Sequence, residues 1–206
     1  MLLTHDEEEF KPMEIDALTE AGNIGAGHAA TSLSKLLREH IMNKSTNSQF
    51  IPLSQVPEAL GGAEKAVAGV YTTLEGELAG GLLMLFPDES AKTLVRLLTD
   101  SELEGYELTD FQASLLSEVG NICLCWYISA ISKMIGLDIT PSPPVAAYDM
   151  IGAVIDLPLI QLGKVADSAL VIMTNFKGEV NEIEGIFLML PEPESRRIIA
   201  ERLGVV

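Results

Sequence analysis

Apolar residues near the start of the chain recur at helical spacing: Ile15, Leu18, Ala21, Leu33, Leu36 and Leu37 share one face between Pro12 and about Glu39. Pro12 suits the first turn, where its missing N–H would have had no helical partner anyway. Asn43 to Gln49 is polar and reads as a connection, and Phe50 to Val56 as a strand that Pro52 marks as an edge or irregular one. Ala66 to Thr73 and Glu77 to Phe86 alternate or run apolar with Gly76 between them, the pattern of an antiparallel hairpin. Ser90 to Thr99 follows Pro87-Asp88 as a helix. Then the order begins again. Thr109-Asp-Phe-Gln112 has the spacing of a capping box, and the helix it opens continues to about Ile135 and stops at Gly136. Val145 to Leu157, Ser168 to Asn175 and Gly185 to Leu190 read as strands, and Glu194 to Leu203 as a closing helix.

The recurrence extends to the residues themselves. Glu20-Ala-Gly-Asn23-Ile returns 98 positions later as Glu118-Val-Gly-Asn121-Ile. Gly22 aligns with Gly120, Leu33 with Ile131, and Ser34-Lys35-Leu36 with Ser132-Lys133-Met134. Near the ends of the halves, Gly81 to Ser90 resembles Gly185 to Ser195 with one residue more in the second copy. Two long copies do not make a solenoid, which needs three or more short repeats. The expected domain is a single unit over 1–206, built from repeats at about 12–105 and 106–206, with an acidic tail over 1–11 and a seam at Asp100 to Leu108. Its expected architecture is α/β (α+β): a two-layer sandwich of long helices on a largely antiparallel sheet, with an internal pseudo-two-fold.

Composition narrows the partners. Thirty acids against thirteen bases give a net charge of −17, which repels phosphate backbones and anionic membranes. No nucleic acid is expected. The start, Met1 to Phe10, has no basic region followed by an apolar run, so no secretory signal is expected and the location is cytoplasmic. Val119 to Leu137 is weakly charged but matches an amphipathic first-half segment, so it reads as a buried helix with no membrane insertion. Cys123 and Cys125 diverge on that helix, cannot bridge each other, and read as small core residues. His5, His28 and His40 lack ligand spacing, and no metal site is expected.

On a helix, Asp16, Glu20 and Asn23 form one polar stripe, as do Ser114, Glu118 and Asn121. A single Glu-x-x-Asn is ordinarily a solvated pair, but asparagine is a poor helix former and stands mid-helix at the same place twice. Gly22, Gly25, Ala26 and Gly27 beside the first copy let another surface approach closely. A structural alternative has Gly22 and Gly120 packing the two helices together, with the asparagines as buried hydrogen-bonding residues. Gly22 to His28 has glycines like a phosphate loop but lacks the following Lys-Ser/Thr and a preceding strand.

The pattern Asp16-x3-Glu20-x2-Asn23, repeated as Ser114-x3-Glu118-x2-Asn121, resembles the signature of the CheC/CheX/FliY family of response-regulator phosphatases of chemotaxis. That signature ends in a proline, which Pro144 matches; Thr46 stands at the corresponding place in the first copy. Two signatures on one short chain are similar to the CheC type. The resemblance implies hydrolysis of the aspartyl phosphate of CheY. Asn23 and Asn121 would orient the attacking water, and Glu20 and Glu118 would pair with the regulator's lysine. Asp16, Ser114 and Pro144 would support the site. It implies no cofactor of the chain's own, a divalent metal such as Mg held by the regulator, and the CheD deamidase as a further partner contacting Tyr148, Asp149 and Met150. The rival reading is a non-catalytic adaptor for CheD or a flagellar switch component.

Overall fold

A computed structural model describes residues 11–99, 101–103, 105, 107–161 and 168–203. The acidic tail lies outside these except for Lys11, and the seam lies partly outside them. The first half runs α1 (Pro12–Leu37), β1 (Met42–Pro52), a 3-10 turn (Leu53–Gln55), α2 (Val56–Ala59), β2 (Ala66–Gly76), β3 (Gly80–Pro87) and α3 (Asp88–Thr99). The second repeats that order as α4 (Asp110–Ile135), β4 (Ile139–Pro141), β5 (Val145–Met150), α5 (Ile151–Gln161), β6 (Ser168–Lys177), β7 (Glu182–Pro191) and α6 (Pro193–Arg202).

The two long helices are 26 residues each and begin 98 positions apart, the offset of the repeated phrase. Their ends are built alike. The Lys11 amide donates to Glu14 Oε2 at 2.8 Å, and the expected capping box joins the Thr109 amide to Gln112 Oε1 at 3.0 Å and the Gln112 amide to Thr109 Oγ1 at 3.2 Å. Both helices stop on a left-handed residue, Arg38 (φ 54°) and Gly136 (φ 69°). The glycine adopts that conformation freely; the arginine does so against the cost of its Cβ.

All strand pairs are antiparallel, in the order β1-β6-β7-β3-β2, with β4 and β5 both on β2. This order is a palindrome about the β3–β7 pair, where Leu83 faces Leu188 and Met84 faces Phe187. The pseudo-two-fold therefore passes between β3 and β7. It also exchanges strands: β1 pairs with β6 of the other half, and β5 with β2.

Successive side chains of a strand point to opposite faces. On one face Leu82, Met84, Phe86, Leu170, Ile172, Phe187 and Met189 join the core under α1, α3, α4 and α6. On the other, Leu83, Leu85, Val171, Ile186 and Leu188 pack under Val56 of α2 and Ile151, Val154 and Ile155 of α5. The long-helix-on-sheet sandwich is thus present, and short helices cover the sheet's second side as well. Burial on both faces explains why β3 and β7 read as nearly continuous apolar runs.

Four expectations need correction. Asn43 to Gln49 is not a loop but most of β1, an edge strand whose polar residues face solvent on one side. Phe50 to Val56 is strand only through Pro52, beyond which the chain turns into the 3-10 segment and α2. Val145 to Leu157 is strand only through Met150; Ile151 onward coils into α5, because its apolar residues meet the second sheet face rather than extend the ladder. Gly76, expected at the hairpin turn, closes β2 at φ 110° and precedes the turn.

Candidate active site

Glu20, Asn23, Glu118 and Asn121 stand on the outer faces of α1 and α4, away from the sheet. The side of each helix opposite them is pinned to a strand. A Cβ on Gly120 would lie 2.4 Å from Val70 Cγ2, and one on Gly22 would lie 3.1 Å from Ile172 Cδ1. These paired glycines let the helices settle onto β2 and β6, which are themselves pseudo-equivalent. The helix-to-helix packing assigned to Gly22 and Gly120 falls instead to Gly25, whose Cβ would meet Tyr127 Cα at 3.0 Å.

Close to that crossing His28 stacks on Trp126 with ring centroids 4.8 Å apart, and Trp126 Nε1 donates to Ser32 Oγ at 2.8 Å. These two residues, 98 positions apart and so equivalent in the two copies, thus touch one another near the pseudo-axis. The two Glu-x-x-Asn pairs lie on separate helices on either side of this contact, each pair spaced about 4.5 Å along its axis.

Asp16, Glu20, Asn23, Ser114 and Glu118 are exposed, and Asn121 is half-buried. The buried-asparagine alternative therefore fails for Asn23, whose side chain has no hydrogen-bond partner among the described residues. Glu20 and Glu118 likewise make no ion pair or hydrogen bond there. Their carboxylates and the Asn23 amide are free to receive groups from outside. Ser114 differs from its counterpart Asp16: its hydroxyl donates back to the Asp110 carbonyl at 2.8 Å, inside the first turns of α4.

Around each pair the helix presents apolar side chains that the sequence reading did not single out. Met13 and Phe111 occupy equivalent positions and are 61% and 66% exposed, and Ile24, beside Asn23, is 43% exposed. Exposed large apolar residues repeated at the same position of both copies were a legible signal. Cys125 is a second omission: it is exposed, not a core residue like Cys123, and its Sγ donates to Asn121 Oδ1 at 3.5 Å. Burial and then the Glu118 carboxylate push the Cys125 thiol up, so it stays protonated. Burial alone pushes Cys123 up to about 12.

The two copies differ most where the signature ends. Thr46 lies within β1, just past the register shift between Asn43 and Ser45, its Oγ1 accepting from Asn43 Nδ2 at 3.1 Å. Pro144 lies between β4 and β5, where a residue without an N–H cannot continue a ladder. Ser142 seals the gap: its Oγ accepts from the Thr73 amide at 3.1 Å, and its carbonyl accepts from Thr72 Oγ1 at 2.7 Å. Of the three residues expected at a partner contact, Asp149 and Met150 are exposed on edge strand β5. Tyr148 is not available there. It is buried, and its hydroxyl donates to Asp88 Oδ1.

By length and hydropathy α4 is able to cross a membrane, but half of its apolar window is buried within the fold. Among the described residues no cluster of His, Cys, Asp and Glu is arranged to hold a metal ion.

The model of the CheC-like family matches residues 13–42 and 111–148, which cover nearly all of the two long helices and, in the second copy, β4 and most of β5. The chain is 31% identical to the CheY-P phosphatase CheC of Bacillus subtilis, over 95% of this chain and 96% of that protein. In three dimensions it resembles Thermotoga maritima FliY, with a TM-score of 0.70 and 21% identity over 95% of this chain and 98% of that one. The middle domain of Helicobacter pylori FliM superposes with a TM-score of 0.65 at 12% identity, over 94% and 99% of the two chains. These last two likenesses speak for the fold.

Proposed function

The chain belongs to the CheC-like family, and from that premise we propose that it hydrolyses the aspartyl phosphate of a CheY-type response regulator. The observation that carries this reading is the pair of Glu-x-x-Asn faces, exposed on twin helices and free of ion pairs within the described fold. In a phosphorylated regulator the phosphoaspartate, a divalent metal such as Mg and a lysine are already assembled. What is missing is a water held in line with phosphorus. Asn23 or Asn121 enters the regulator's site and orients that water, as positioned amides do in other phosphoryl-transfer reactions. Glu20 or Glu118 pairs with the regulator's lysine and fixes the helix on its partner. Met13 or Phe111 adds apolar contact about two turns before the glutamate.

No nucleophile or metal of the chain's own takes part: the regulator supplies both electrophile and cation. Positioning of this kind contributes a few kcal/mol, at about 1.4 kcal/mol per tenfold in rate. The activity is cytoplasmic, where the regulator works. A second, narrower proposal is that CheD docks on the β5 edge through Asp149 and Met150, with Tyr148 holding the strand from beneath.

The test is the lifetime of phospho-CheY with and without this protein. Wild type shortens it, and the Asn23→Ala/Asn121→Ala double variant, both changes being at the outer helix face, folds normally and does not. A double variant as fast as wild type would exclude these faces as the site. If wild type never accelerates decay yet retains CheD, the adaptor reading replaces the enzymatic one.

A further inference from the structure

The two sites part company one helical turn beyond the asparagine. In α4 that position is Cys125, whose thiol donates to Asn121 Oδ1 at 3.5 Å, an ordinary length for a sulfur donor. In α1 it is Gly27, where a Cβ would meet nothing within 4 Å. Asn23 accordingly has no side-chain partner among the described residues and is exposed, whereas Asn121 is half-buried.

An amide carries an acceptor at one end and two donors at the other, and an unanchored one turns freely about its last torsion. A protonated thiol is a weak donor and a still weaker acceptor. Here it donates to the oxygen end of Asn121, which leaves the nitrogen end turned away from the sulfur. Partial burial and then the neighbouring Glu118 carboxylate keep the thiol protonated, so the donor persists at neutral pH. Gly27 offers the Asn23 amide no such anchor.

We propose that Cys125 is a positioning residue for the second site: its thiol orients the Asn121 amide, so the two sites differ in turnover rather than in how tightly they hold the regulator. This rests on the phosphatase reading above. A weak neutral hydrogen bond that must be reformed by chance in each encounter costs a modest factor in rate when removed, on the order of three- to tenfold.

The experiment isolates each site by removing the other's asparagine and measures kcat and KM for a CheY-type regulator phosphorylated by a small phosphodonor. In the Asn23→Ala background, Cys125→Ala should lower kcat about three- to tenfold with KM within about twofold, and Cys125→Ser, which restores a hydroxyl donor, should recover most of the loss. In the Asn121→Ala background, Gly27→Ser should raise kcat of the first site, since the side chain enters open space. Thermal unfolding of Cys125→Ala should match the parent, the residue being exposed. The proposal is overturned if alanine and serine at 125 behave alike, or if the loss appears in KM. A kcat loss seen only when Asn121 is changed, with Cys125→Ala silent, rejects the thiol's role and leaves the phosphatase reading intact. Undiminished activity of the Asn23→Ala/Asn121→Ala variant rejects that reading itself.

Discussion

Gly120 and Gly27 are both helical glycines, and their surroundings give them opposite roles. At Gly120 an added methyl would strike Val70 at its Cβ and both Cγ atoms, and a change of rotamer does not move a Cβ. Gly120→Ala should therefore lower stability by about 1–3 kcal/mol despite the better helix propensity of alanine. Gly27→Ala meets open space and should raise stability by up to about 1 kcal/mol. Thermal melts of the two variants should move in opposite directions. The asparagines carry a second residue-level prediction. With Pro144 completing the signature only in the second copy, and Cys125 anchoring only Asn121, Asn121→Ala should reduce phosphatase activity at least as much as Asn23→Ala. Single-variant decay rates of phospho-CheY decide this, and a more damaging Asn23→Ala would refute the ranking. The acid–amide stripe was legible because identical residues recur at a fixed offset. The thiol was not, because two cysteines on one helix look alike until the sheet buries one of them.

Among the elements, the junction of α3 with β5 makes a titratable contact. Burial pushes the Asp88 carboxyl up, but hydrogen bonds from Lys92 and Tyr148 outweigh it and hold the group below its ordinary range. The Lys92 ammonium lies 2.7 Å away and the carboxylate sits in the first turn of α3, where the helix dipole also favours a negative charge. A carboxyl whose folded pKa is depressed contributes stability that is full above its unfolded pKa, about 3.9, and is lost as pH falls through the folded value. Tyr148→Phe removes one of the stabilising donors. It should lower the melting temperature at neutral pH, and the gap from wild type should begin to narrow below about pH 4, as first the unfolded and then the folded form of Asp88 becomes protonated. An equal gap at pH 7 and pH 3 would show that Tyr148 acts through packing alone. Element identity was legible where periodicity was long, as in α1 and α4. It failed at β1, whose polar residues are tolerated because an edge strand needs only its backbone paired, and at α5, where a short apolar run fits strand and helix equally.

At the scale of the whole molecule, the exchange of β1 and β5 ties the repeats together. A first half on its own would lack the strand that covers β2, and its β1 would have no β6 to pair with. We propose that the two repeats form one cooperative unit. Residues 12–105 and 106–206 expressed separately should each show little cooperative unfolding by circular dichroism, whereas the intact chain should melt in a single transition; two independent transitions would refute this. The same topology puts both signature helices on one side of one sheet, with His28 and Trp126 in contact near the axis. The sequence by itself determined that the chain is a duplication, that each copy carries an acid and an amide on one helix face, and that the strands pair antiparallel. These properties follow from local spacing, which a 3.6-residue or two-residue period imposes directly. Only the tertiary structure decided that the halves trade strands, that Gly22 and Gly120 face the sheet while Gly25 meets the other helix, that Tyr148 turns inward, and that Cys125 reaches Asn121. Each of these depends on which surfaces are brought together across many residues of intervening chain, and no local period records that.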